Sequence, residues 1–130
     1  MAPPQVRAVL SIVYLITSML RIKTLWIEDE YLQQILAGRK TVEVRVAYSN
    51  IARLKPGDTL LLNDQHRYTI IDVRHYSDFD ALVEAEDPAT MAPDLPDREA
   101  LLAACRAIYP PEKEALGVVA LEIAQQVESS

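Results

Sequence analysis

The sequence predicts an α+β domain built on a curled, mixed or largely antiparallel sheet, and three observations carry that prediction. The chain has 130 residues, half of them apolar and a quarter charged, the balance of one soluble globular domain with enough length for a real core. Its patterns run strand, helix, three strands, helices, strand, which is neither regular βαβ alternation nor a bundle. Thr41–Val46 (TVEVRV) alternates strictly between apolar and polar side chains, the signature of a strand with two different faces.

The elements follow in order. Ile22–Ile27 (IKTLWI) is rich in β-branched and aromatic residues and reads as a strand, whose alternation places Trp26 in the core. Glu28–Ala37 (EDEYLQQILA) opens with acids, carries Tyr31, Leu32, Ile35 and Leu36 at helical spacing, and ends at Gly38, as an amphipathic helix does. In Thr41–Val46, the valines at 42, 44 and 46 face the core while Thr41, Glu43 and Arg45 share the other face. A loop over Tyr48–Asp58 closes with Leu54-Lys55-Pro56-Gly57-Asp58, a tight-turn sequence. Thr59–Leu62 and Arg67–His75 are strands joined by a polar turn. Ser77 caps a helix over Ala81–Glu86, with Asp80 as the reciprocal acid. After a Pro-rich loop over Asp87–Pro96, Asp97 caps a helix over Arg98–Ile108 with Leu101, Leu102, Cys105 and Ile108 as its apolar stripe. Cys105 is therefore core and not a nucleophile. Gly117–Ile123 is a buried strand, and the residues after it form a frayed tail.

Several function classes are excluded by what the chain lacks. One cysteine forbids an internal disulfide. His66 and His75 stand apart with no ligand cluster around them, so no metal is expected, and three glycines supply no phosphate-cradling loop, so no nucleotide cofactor is either. The apolar run Ala8–Leu20 is too short to span a bilayer as a helix, and it lacks a clean cleavage site for a secretory signal. Residues 1–18 read as an upstream extension dispensable for the fold, ahead of a domain over 19–125 and a tail over 126–130. A cytoplasmic protein without a membrane partner is expected. The net charge of −6 opposes bulk electrostatic binding of nucleic acid, but residues 1–75 hold 10 basic and 7 acidic side chains against 3 and 12 in residues 76–130. An anion site belongs in the first half; the acidic second half suits a solvated surface or a basic protein partner.

The segment Gly38-Arg39-Lys40-Thr41-Val42-Glu43-Val44-Arg45 concentrates the chemistry. Glu43 and Arg45, about 6.5–7 Å apart along one strand face, present an acceptor and a planar donor together. Lys40 adds a long-reaching cation, and Arg39 and Lys55 extend the positive patch. Tyr48 and Tyr109 are the better stacking residues for a base. This segment resembles the G-x-K-x-x-E-x-R motif of the ASCH domain family, as do the L-K-P-G-D turn at 54–58, the His75–Phe79 segment and Tyr109-Pro110 before the last strand. The resemblance implies a PUA-like small β-barrel with flanking helices, RNA binding, and a cleft beside the barrel lined by the motif residues. Joined to the positive patch and stacking residues above, it makes Arg39, Lys40, Glu43, Arg45, Tyr48, Lys55 and Tyr109 the expected contacts of RNA or a nucleotide-like ligand. It also implies an alternative, a small hydrolase of modified nucleosides or of RNA using Lys40 and Glu43 to activate water. In the acetylcytidine-deacylating branch of the family, however, a Thr nucleophile occupies the position held here by Glu43. A third expectation is an adaptor that binds another protein.

Overall fold

A computed structural model describes Leu20–Val127; the expected extension over residues 1–18 and the end of the tail lie outside the described residues. Five strands, β1 (Ile22–Leu25), β2 (Val42–Val46), β3 (Thr59–Leu62), β4 (His66–Tyr76) and β5 (Val118–Gln125), form one sheet in the order β1-β3-β4-β5-β2. Only β1 and β3 pair in parallel, in the register Ile22 to Thr59; the remaining pairs are antiparallel. The sheet curls into a half-barrel of PUA-like α+β type, flanked by α1 (Asp29–Leu36), α2 (Ser49–Ala52), α3 (Phe79–Ala85), α4 (Pro88–Met91), α5 (Arg98–Ile108) and α6 (Pro111–Glu114). Among the described residues no helix is long and apolar enough to cross a membrane.

β5 holds the molecule together because it lies inside the sheet, between β4 and β2, and is buried on both faces over Val118–Leu121. Its Val119, Leu121 and Ile123 join Leu60, Leu62, Ile70 and the α1 residues Leu32 and Ile35 in the core inside the curl. Its Val118 and Ala120 join Val42, Val46, Phe79, Leu82, Met91, Leu101 and Cys105 in a second core under the later helices. A strand apolar on both sides is what a two-layered domain places in its middle. β4, eleven residues long, pairs with β3 and with β5, and its register shifts by one residue between Ile70 and Asp72.

Local chemistry departs from the sequence expectation at four places. Trp26 is not core: Leu25 and Ile27 point inward at 4% and 3% exposure, and Trp26 between them is 70% exposed. Asp78, not Ser77, caps α3, its carboxylate accepting from the Ala81 N–H at 2.8 Å, while Asp80 pairs with Arg106 across to α5. The loops expected over 48–58 and 87–96 each contain a single helical turn, α2 and α4. Ile108, read as part of the buried stripe of α5, is exposed at its end.

Candidate functional site

The site is assembled by the way α1 hands the chain to β2. Gly38 follows the helix at φ +78°, a conformation that a residue with a Cβ resists, and the Arg39 and Lys40 N–H groups then both donate to the Gln34 C=O. β2 lies at the free edge of the sheet. The Thr41 C=O accepts from Ile123 and the Ala47 N–H donates to Gly117, so the odd-numbered residues turn their main chain toward β5 and Val42, Val44 and Val46 turn theirs outward. Side chains cover this edge. Lys40 Nζ donates to the Val42 C=O at 2.8 Å, and Glu43 Oε1 accepts from the Val44 N–H at 3.1 Å.

Beside that edge lies a cleft of about 490 Å³ between the Trp26–Tyr31 segment on one flank and α5 with the Met91–Leu95 stretch on the other. Its walls are largely apolar and its polar floor is a chain of charges. Lys40 is 5% exposed; its ammonium donates to the Val42 C=O and to the Met91 C=O at 2.7 Å and forms an ion pair with Glu43 Oε1 at 3.2 Å. Arg45 Nη2 donates to Glu43 Oε2 and to the Trp26 C=O, each at 3.0 Å. The second of these bonds links one edge of the sheet to the end of the other. Burial works to raise the Glu43 carboxyl, but Lys40 and Arg45 outweigh it and hold Glu43 below the usual carboxylate range. Burial raises the Tyr109 phenol, which also lines the cleft, so it stays a donor.

The sequence matches the ASCH domain model over residues 25–126. The chain belongs to the ASCH domain family. Its fold is similar to that of the crystal structure of hypothetical protein PH0355, with 28% sequence identity and a TM-score of 0.76 over 82% of this chain and all of that one. It is also similar to the solution NMR structure of protein PF0455 from Pyrococcus furiosus, at 26% identity and a TM-score of 0.68 over 80% of this chain and 96% of that one. No curated protein matches this chain.

Within this ASCH domain, the residues singled out from sequence divide in two. Lys40, Glu43, Arg45 and Tyr109 line the cleft together. Arg39, Tyr48 and Lys55 are not among its lining: Arg39 pairs with Asp94 at 3.5 Å in the open, and Tyr48 lies under the Lys113 ammonium, 5.7 Å from the ring centroid. Lys55 belongs to the turn that Asp58 organises by accepting from the Lys55 and Arg21 N–H groups. Trp26 and Ile108, both assigned to the core from the sequence, instead sit at the rim. Cys105 faces the cleft from below but is buried, which pushes its thiol up to about 11 and keeps it protonated. Among the described residues no cluster of His, Cys, Asp and Glu could hold a metal ion. Two further ionic clusters lie outside the cleft. Arg74 binds Glu86, Asp72 and Glu122, and Arg106 binds Asp80 and Glu114.

Proposed function

We propose that this ASCH domain recognises RNA or a nucleotide-like ligand in the cleft at the free edge of β2. The observation that carries the reading is the convergence of Lys40, Glu43 and Arg45 on one concave floor, where three separately solvated side chains would have been the ordinary outcome. The roles differ. The Nε and Nη1 hydrogens of Arg45 have no partner among the described residues, and its side chain keeps 24% exposure, so it is the hand offered to an acceptor. Glu43 Oε2 accepts one hydrogen bond and has room for an amine from the ligand. Lys40 Nζ is engaged by two main-chain carbonyls and by Glu43, so it acts by charge and by fixing Glu43. Tyr109 adds a phenol from the wall; Arg39, Tyr48 and Lys55 meet only a ligand that extends beyond the cleft.

Hydrolysis draws less support from the same geometry. A general base works best with a pKa near the working pH, whereas Glu43 is held on the acidic side and the Lys40 hydrogens are engaged. Binding is tested by calorimetry and thermal shift against the four ribonucleosides, their 5′-monophosphates and a short single-stranded RNA. At least one should raise the melting temperature, and Arg45→Ala, checked for native circular dichroism, should weaken it tenfold or more. Absence of binding across the whole set would overturn the reading.

A further inference from the structure

Trp26 is the part of the cleft that the charged motif does not explain. A tryptophan that is 70% exposed leaves a large apolar area in water, an informative departure for this residue type. It is not on a loose loop. Its C=O accepts from Arg45 Nη2 at 3.0 Å, and the N–H and C=O of the next residue, Ile27, are bracketed by the Asn63 side-chain amide at 2.7 and 2.9 Å. The indole is thus held out at the rim of the cleft by a backbone fixed on both sides, beside the only guanidinium among the cleft's lining residues, whose Nε and Nη1 donors have no partner among the described residues.

The state of that guanidinium narrows the ligand. Both Nη2 hydrogens are committed, to Glu43 and to Trp26, so the free donors on Nε and Nη1 lie on opposite flanks and no complete two-pronged fork remains for a phosphate. Single donors suit carbonyl oxygens and ring nitrogens. The Val44 C=O, on the outward side of the edge strand, is an acceptor in the same wall for an exocyclic amine. A volume of about 490 Å³ is in the range that encloses one small organic molecule and does not accommodate a strand.

Resting on the recognition proposed above, we infer that Trp26 is a ligand-contacting platform and that the cleft takes one nucleobase, its face on the indole and its edge toward Arg45 and Val44, with the phosphate left outside. A free nucleoside and an unstacked base in single-stranded RNA share this chemistry.

Trp26 is the only tryptophan in the chain, so its emission reports the contact directly. The experiment titrates the full chain with adenosine, uridine, their 5′-monophosphates, ribose 5-phosphate and a hexanucleotide, followed by tryptophan fluorescence and by calorimetry. Saturable quenching is expected, with a nucleoside within about threefold of its monophosphate, ribose 5-phosphate silent, Trp26→Ala weakening binding tenfold or more and Trp26→Phe retaining most of it. A nucleoside that binds while the hexanucleotide does not identifies the free ligand as the source; tighter binding of the hexanucleotide identifies RNA. If a ligand binds and requires Arg45, but it leaves the Trp26 emission of the unsubstituted chain unquenched and keeps its affinity for Trp26→Ala by calorimetry, the platform is overturned and the recognition reading survives. Ribose 5-phosphate binding as tightly as the monophosphates overturns the base-first orientation. If nothing binds, both readings fall.

Discussion

Lys40 shows how a charged residue becomes part of a core. Its ammonium is taken out of water, and two main-chain carbonyls and one carboxylate replace the lost hydration. Removing it leaves Glu43 with Arg45 as its one charged partner and the Val44 N–H as its other donor. Lys40→Met should therefore destabilise the domain by about 3 kcal/mol in urea titrations, and Lys40→Met combined with Glu43→Leu should recover part of that loss, because no unpaired buried carboxylate remains. Equal stability of the single and double variants would contradict the coupling. Cys105 gives a second residue-level expectation. With its thiol pushed up to about 11 by burial, it should resist Ellman's reagent at pH 8 in the folded protein and react at once in denaturant.

Among the elements, α3 tests the choice of cap. Asp78 accepts from the Ala81 N–H and Ser77 is exposed outside the helix, so Asp78→Ala should cost about 1 kcal/mol. Ser77→Ala should stay within about 0.5 kcal/mol, as surface changes away from a cap do. Thermal melts of the two variants decide the register. Both residue types can cap a helix, and nothing in the local sequence separates positions one residue apart. β2 was legible because its period of two is strict and its charges stand out. β1 was legible as a strand but not in its facing: Ile22 and Trp26 share one face, Leu25 and Ile27 the other, and only pairing with β3 decides which side meets the core. That ambiguity hid Trp26. The burial of Lys40 was equally invisible, because one of its acceptors, the Met91 carbonyl, lies 51 residues downstream on α4. The cleft itself depends on how α5 lies against the free edge of β2, which is a fact of tertiary packing and leaves no local pattern.

At the scale of the whole molecule, the acid side of the stability curve is set by three buried carboxylates. The Arg74 hydrogen bonds hold Glu86 low, those of Arg106 hold Glu114 low, and Glu43 is held low when Lys40 and Arg45 outweigh burial. A carboxyl whose folded pKa lies below its unfolded value adds stability that is fully present above the unfolded value and is lost as pH falls through the folded one. The urea midpoint should thus be level above about pH 5 and fall steadily below about pH 4. Glu86→Gln should flatten that fall while lowering the plateau, and a midpoint unchanged between pH 5 and 3 would refute the account. The strand order has a consequence for biosynthesis. β5, last of the five in sequence, sits between β4 and β2. Until it leaves the ribosome, β2 has no neighbour to pair with and neither apolar layer can close. A nascent chain stalled anywhere before Val118 is then a client for holdase chaperones and not a partly finished domain.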